Sequence, residues 1–507
     1  MSASDRSTAL YTAEQVRSID RSAIERCAIA GFTLMQRAAD SAFACLRRRW
    51  PDARRIGVAA GPGNNGGDAF LLACAALREG FAVRLLAVGP NSSGDAGRAR
   101  AAFIEAGGTI TLGASDTELF AADVQVDGLF GTGLGRPIEG VSAALIDRLN
   151  HCGQPLLALD VPSGLNADTG ARLGAVAQAA ATVSFVGWKR GLFTGDAVDC
   201  CGALELATLG VPDAAYADIT PAAQLIDAAQ DALLPPRLHN SHKGKFGHVL
   251  VVGGDHGMGG APRLAGEAAL RVGAGLVSVA TRAAHIVALN TARPELMAHG
   301  SDDPQSLAPL LARADVIAMG PGLGQRAWGH ALWDTVLSDA ASQPNRALVI
   351  DADALNLLAR QPRALPPATV LTPHPGEAAR LLDCETANVQ RDRFAAVQKL
   401  AQRHRAVVIL KGAGTLIADP SGRVALCRWG NPGMASAGMG DVLTGVVAGL
   451  LAQGLSVWDA ARLGVAAHAR AGDKAAGVTP RGLIASDLFA FLRCFVNGSA
   501  GDANGER

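Results

Sequence analysis

Three short stretches in the first half of the chain set oxygen-bearing side chains beside glycine turns. Asn64, Asn65, Gly66, Gly67 and Asp68 follow Gly61-Pro62-Gly63; Asp127 leads into Gly131, Thr132, Gly133, Leu134, Gly135, Arg136 and Pro137; Asp160 precedes Val161-Pro162-Ser163-Gly164. A glycine turn that opens a helix presents backbone N–H groups to an anion, so the first stretch suits a phosphorylated ligand. Residues 61–66 also satisfy G-x-G-x-x-G, a weak signal alone. An oxidoreductase of that type wants a ribose-binding carboxylate about 20 residues on. Residues 81–88 contain none, which disfavours NAD-dependent hydride transfer. Each polar residue alone could be a helix cap or turn former. Asn65, Asp127, Asp160 and Ser163 at three strand ends argue instead for convergence in one crevice.

The second half carries a different pattern. Asn431 begins a glycine-rich run that ends in Gly438-Met439-Gly440-Asp441 and opens an apolar helix. Successive N–H groups there form an anion hole for a phosphoryl group in transfer. Asp441 beside it can take a proton from an attacking hydroxyl; the plainer role is a carboxylate favoured by the helix dipole. Upstream lie Lys243–His248, the glycine turn Gly320-Pro321-Gly322-Leu323-Gly324, the stretch Thr372-Pro373-His374-Pro375-Gly376-Glu377, and Lys411-Gly412-Ala413-Gly414-Thr415. His374, flanked by prolines at a strand end, sits in a fixed loop where ligands bind.

These residues need elements to hold them. Thr12 and Gln15 form a capping-box pattern for a helix ending near Gly31, and a second helix is expected over 33–50. Apolar runs at 55–60, 82–88, 124–130, 156–161 and 182–186 alternate with helical segments, the signature of a parallel sheet covered on both faces. The alanine- and proline-rich region 214–236 shows no clear strand and marks a boundary, giving domains 1–220 and 221–507. A second series follows at 248–252, 276–280, 316–319, 348–350, 370–372 and 407–410. The fold class expected is α/β, with two doubly wound domains.

Composition supports this plan. At 507 residues the chain exceeds the usual size of one domain, about 150 residues. Lysine plus arginine and aspartate plus glutamate both total 46, so no net field recruits nucleic acid or an anionic membrane. The apolar run 442–455 is too short to span a bilayer. Nine scattered cysteines fit a reducing cytoplasm, and adjacent Cys200 and Cys201 read as small buried hydrophobes.

The first-half motifs, over about residues 10–215, resemble the epimerase domain of NAD(P)H-hydrate repair enzymes. The resemblance implies a Rossmann-like domain in which residues 64–68 and 131–137 bind the hydrated nucleotide and Asp160 contacts it. It further implies that Asp127 and Asp160 take part in catalysis, while Asn65, Asp127 and Ser163 hold potassium. The G-x-G-D loop resembles the ribokinase-like superfamily, in which an aspartate at that position is the general base; Met439 departs from the small residue frequent there in sugar kinases. Across about residues 235–495 the other motifs resemble its NAD(P)H-hydrate dehydratase branch. That resemblance implies that Ala261, Gly322, His374 and Asp441 contact the hydrated nicotinamide nucleotide. Lys411, Gly412, Ala413, Gly414, Thr415 and Gly440 would hold the adenine nucleotide, with magnesium and with ADP as phosphoryl donor.

The implied function is metabolite repair. One domain interconverts the R and S hydrates of NADH and NADPH (NADHX and NADPHX), and the other dehydrates the S form. A cytoplasmic homo-oligomer without nucleic-acid or membrane partners is expected. The rival is a small-alcohol kinase of the ribokinase-like type with an appended nucleotide-sensing or scaffold domain, which would leave a stable phosphate ester.

Overall fold

The computed structural model describes residues 3–89, 93–112, 121–227, 233–343 and 345–497. The chain forms two compact units, Met1–Gln224 and Leu225–Arg507.

In the first unit α1 (Ala3–Thr8) and β1 (Ala9–Tyr11) precede α2 (Ala13–Glu25). Thr12 caps α2 reciprocally: the Gln15 N–H donates to Thr12 Oγ1 at 3.1 Å, and the Thr12 N–H donates to Gln15 Oε1 at 2.9 Å. The helix stops well short of Gly31, because Ala28 adopts a left-handed φ of 55° and the Ile29 N–H reaches back to the Ala23 carbonyl. Then come α3 (Gly31–Arg49), β2 (Arg55–Ala60), α4 (Asn64–Arg78), β3 (Ala82–Ala87), α5 (Gly94–Glu105), β4 (Ile110–Leu112), β5 (Val124–Gly128), α6 (Gly140–His151) and β6 (Leu156–Leu159). The unit continues through β7 (Ala181–Phe185), β8 (Trp188–Lys189), α7 (Ala197–Cys200), β9 (Ala203–Ala207) and β10 (Ala223–Leu225).

The main sheet runs β4-β3-β2-β5-β6-β7-β9, parallel throughout. Strands β5, β6 and β7 are buried at every residue, as a sheet covered on both faces requires. Helices α3 and α4 supply Leu34, Ala38, Ala42, Leu46, Phe70 and Leu72 to the larger core, and α6 supplies Leu145, Ile146 and Leu149 to a second cluster. The chain winds from β2 outward through β3 and β4, then resumes at β5 on the other side of β2. The crevice beyond the carboxyl ends of β2 and β5 is therefore a topological switch point, the place where open α/β sheets bind ligands. Contrary to the expectation for 214–236, β10 forms a short strand there, antiparallel to β1. Its three residues give no periodicity to read.

The second unit contains β11 (His248–Val252), α8 (Gly260–Arg271), β12 (Leu276–Thr281), α9 (Ile286–Ala292), β13 (Met297–Gly300), α10 (Ala308–Leu311), β14 (Val316–Met319), α11 (Ala327–Ser342), β15 (Ala347–Ile350), α12 (Ala352–Arg360) and β16 (Thr369–Leu371). It continues through α13 (Pro375–Leu382), α14 (Thr386–Arg391), α15 (Arg393–His404), β17 (Val407–Leu410), β18 (Thr415–Ala418), β19 (Val424–Cys427), α16 (Met439–Ala452), α17 (Val457–Ala476) and α18 (Phe489–Leu492). Its strands follow the order β13-β12-β11-β14-β15-β16-β17-β18-β19. They are parallel through β17, and β18 and β19 add an antiparallel ribbon absent from the sequence expectation. Order again reverses, between β11 and β14. Helix α16 is buried from Val442 to Leu451 and joins α8 and α17 in the core. Among the described residues, no helix is long and apolar enough to cross a membrane.

Candidate active sites

The first site lies at the β2/β5 switch point. Gly61 and Gly66 are obligatory there: a Cβ on Gly61 would fall 1.8 Å from the Leu129 carbonyl oxygen, and one on Gly66 1.9 Å from that of Gly61. This close approach lets α4 begin at Asn64, so residues 64–68 form its first turn rather than a preceding loop. Asn65 thereby points into the fold. It is only 8% exposed, yet neither its amide oxygen nor its amide nitrogen has a hydrogen-bond partner. Orphaning a buried polar group costs about 1–3 kcal/mol, a penalty that a bound ligand would relieve.

Asp127, fully buried on β5, meets Ser163. The Ser163 hydroxyl donates to Asp127 Oδ1 at 2.6 Å, and its N–H donates to Oδ2 at 2.8 Å. The Leu129 N–H also donates to Oδ1. Burial holds the Asp127 carboxyl above its ordinary range despite these bonds, so a nearby cation would favour its ionised form. A Cβ on Gly131 would stand 3.1 Å from Asp160 Oδ2 and 3.4 Å from Asn65 Oδ1, placing both side chains against one loop. The Thr132 N–H faces Asp160 Oδ2 at 3.3 Å. In the rest of that loop Gly133, Gly135, Arg136 and Pro137 are exposed and Leu134 is half-buried.

Asp160 takes a left-handed φ of 66° at the end of β6, a strained placement of the kind found at functional sites. It forms an ion pair with Lys189, a residue that sequence reasoning missed. Lys189 is 1% exposed, and its ammonium also donates to the Phe185 carbonyl at 2.7 Å and to Ser184 Oγ at 3.2 Å. Two more carboxyls share this field. Burial, with Asp160 and Asp20 adding to it, holds Asp68 well above the usual range; burial pushes Asp20 up to about 6 against the pull of Lys189. The site thus sets a carboxyl that burial raises well above the usual range, Asp68, beside an ion-paired carboxylate, Asp160, the contrast that general acid–base chemistry needs. No local signal marked Lys189, because β8 is two residues long and forms only against β1.

The second site lies at the carboxyl ends of β11 and β14 to β17. The Gly322 loop follows β14, and a Cβ there would meet the Ala261 methyl at 3.2 Å, so these two predicted contacts adjoin. His374 caps α13: the Gly376 N–H donates to its Nδ1 at 3.0 Å, while Glu377 accepts the His374 N–H at 2.8 Å. Burial, with Lys411 and Arg380 adding repulsion, lowers the His374 pKa, keeping the ring neutral. Gly438, at φ 87°, turns the chain into α16, where Asp441 stands in the first turn. Burial pushes Asp441 up to about 7, reinforced by the charge of Asp351 and opposed by Lys411. A carboxylate of that basicity is suited to take a proton from a hydroxyl at physiological pH.

Lys411 follows β17, and its ammonium meets Asp351 Oδ1 at 2.8 Å. A Cβ on Gly440 would meet the Lys411 ammonium at 3.2 Å, so the glycine makes room for that charge beneath α16. Asp351, like Lys189, escaped the sequence reading.

Comparison with known proteins gives this geometry a family. The model for NAD(P)H-hydrate dehydratase matches residues 249–492, and that for the YjeF-related protein N-terminus matches 31–191. The chain is 44% identical to the bifunctional NAD(P)H-hydrate repair enzyme Nnr of Coxiella burnetii, over 97% of this chain and 100% of that one. It is 43% identical to the Escherichia coli enzyme of the same name, over 98% and 95%. A solved ribokinase-like superfamily protein from Enterococcus faecalis is 29% identical and covers 54% of this chain and 97% of its own, with a TM-score of 0.51. Matched nearly end to end by such relatives, the chain belongs to the family of bifunctional NAD(P)H-hydrate repair enzymes.

Proposed function

We propose that the first unit interconverts the R and S hydrates of NADH and NADPH and that the second dehydrates the S form with ADP, releasing AMP and phosphate. The observation that carries this reading is Asp441, a carboxyl raised to about 7 at the glycine-capped start of a buried helix. The hydrate carries a hydroxyl at C6 beside the ring nitrogen, and hydroxide is a poor leaving group. Asp441 takes the hydroxyl proton while the oxygen bonds to the β-phosphorus of ADP and the bridging P–O bond breaks, releasing AMP. The C6–O bond then breaks with its electron pair on phosphate, and loss of a C5 proton restores the C5–C6 double bond. Neutral His374, Ala261 and Gly322 would orient the nicotinamide, and the backbone of 412–415 with Gly440 the nucleotide.

Magnesium would neutralise phosphate charge here. Among the described residues no cluster of three His, Cys, Asp or Glu could hold a metal, and Asp351 and Glu377 are engaged in hydrogen bonds. That donor set fits a magnesium ion carried mainly by the phosphates of ADP. The choice of ADP rather than ATP is part of this proposal and rests on the family resemblance of the fused two-domain chain.

In the first unit, Asp160 paired with Lys189 would take the C6 hydroxyl proton as the C6–N1 bond breaks to leave an aldehyde, Asp68, whose carboxyl burial raises, would give a proton to N1, and reversal of both transfers on the other face of the aldehyde would invert C6. The N–H groups of 64–68 and the 131–137 loop would bind the nucleotide. Asn65, Asp127 and Ser163 fit a potassium ion, since the orphaned Asn65 oxygen supplies a donor with no other use. Potassium would supply positive charge that favours an ionised Asp127. Nine unpaired cysteines support a reducing, cytoplasmic setting, and homo-oligomeric assembly completes the reading, to be checked by light scattering.

The test is direct. The intact chain, given ADP, magnesium and a mixture of R and S hydrates, should restore NADH absorbance completely. A stable phosphorylated alcohol with no NADH would instead identify a kinase.

A further inference from the structure

We propose that Asp351 is a positioning residue for the dehydration, fixing both the Lys411 ammonium and the face of α16 that carries Asp441. The inference rests on the dehydratase reading only for the identity of the hydroxyl that accepts phosphate.

Asp351 follows β15 and is 1% exposed. Its Oδ1 accepts from the Lys411 ammonium and the Thr372 hydroxyl, each at 2.8 Å, and its Oδ2 accepts from the Thr444 hydroxyl at 2.8 Å. Its own N–H donates to the Met319 carbonyl at the end of β14. One carboxylate therefore ties the residues that follow β15, β16 and β17 to the first turns of α16, and the backbone of the same residue adds the end of β14. Thr444 stands three residues after Asp441, so the two share a face of that helix. Holding Thr444 fixes the rotation of α16 and with it the direction of Asp441. The carboxylate–ammonium pair lies under the helix start, with Lys411 Nζ 3.2 Å and Asp351 Oδ2 3.7 Å from the point where a Gly440 Cβ would stand.

A buried ion pair is poor evidence of stabilisation, because well-packed apolar residues of equal volume serve as well or better. Its retention beneath the loop where charge moves is accounted for by orientation. The charges that act on Asp441 are those of Asp351 and Lys411, and His468 lies beside the start of the helix. Burial lowers His468, whose ring meets the Met439 carbonyl, to about 4, so it stays neutral. Asp351 and Lys411 remain the charges that set the Asp441 proton affinity.

Two variants of the full chain test this, Asp351→Asn and Thr444→Val, with near-UV circular dichroism and the urea unfolding transition as checks that the second unit is folded. Misdirecting a reacting group by about 1 Å costs on the order of a hundredfold. Asp351→Asn should lower kcat to that extent while leaving KM for ADP nearly unchanged. The acid limb of its kcat/KM profile should move down by about one pH unit, because Lys411 then acts on Asp441 without its counter-charge. Thr444→Val should lower kcat with the limb unmoved, since no charge changes. If Asp351→Asn does not fold, Thr444→Val with kcat equal to the parent overturns the proposal; so does a folded Asp351→Asn with unchanged kcat. A parent that makes a stable phosphate ester instead of NADH refutes the dehydratase reading alone, and the same comparisons then apply to that phosphoryl transfer.

Discussion

Replacing Asp441 by Asn should remove dehydration and stabilise the protein, and the two effects come from one cause. Burial lifts the Asp441 carboxyl from 3.8 to about 7, so above pH 7 the folded protein carries a charge it would rather neutralise. At about 1.4 kcal/mol per unit, the shift corresponds to at most about 4 kcal/mol. Water reaching an open site screens this to roughly 2 kcal/mol. The sign follows from a folded pKa raised above the unfolded one: stability is fully present below pH 4, declines as pH rises toward 7, and levels off beyond. Asn lacks the titration. The variant should therefore exceed the parent in urea resistance by roughly 2 kcal/mol at pH 8, with the margin shrinking to nothing near pH 4. Fluorescence of Trp328, Trp333, Trp429 and Trp458 reports the second unit. Dehydration should fall by about 10² to 10⁴ while epimerisation continues. A stability difference that is flat with pH, or dehydration within tenfold of the parent, would refute the reasoning.

The first unit yields three further expectations. Exchanging potassium for a bulky organic cation should slow epimerisation, and Asp127→Ala should erase that difference; a rate indifferent to the cation removes the ion from the site. Lys189→Met should reduce epimerisation by about a hundredfold or more, because Asp160 is left buried without its partner, yet spare dehydration of pure S hydrate, as stopped-time chromatography of the epimers can show. With Asp160→Ala, recovery of NADH from mixed epimers should become biphasic, the fast amplitude equal to the starting S fraction. Monophasic, complete recovery by the folded variant contradicts the assigned division of labour.

Local chemistry was legible in the sequence wherever a short stretch carried its own constraint. The Thr12–Gln15 box, the apolar runs of β2, β5, β11 and β14, and the glycines that let α4 and α16 begin beside ligand-binding loops all depend on neighbours within a few residues. The motifs therefore pointed to Asp127, Asp160, Ser163 and Asp441 through local pattern alone. Short strands such as β4, β8 and β10 were invisible, since two or three residues show no period and form only against a partner strand. The same holds for the ion pairs. Lys189 stands 29 residues from Asp160, and Lys411 stands 60 from Asp351, so nothing in either local stretch announces the pairing. Sequence alone determined which groups could do chemistry; tertiary structure decided which of them are buried together, and burial with a chosen partner is what raises one carboxyl and holds another ionised.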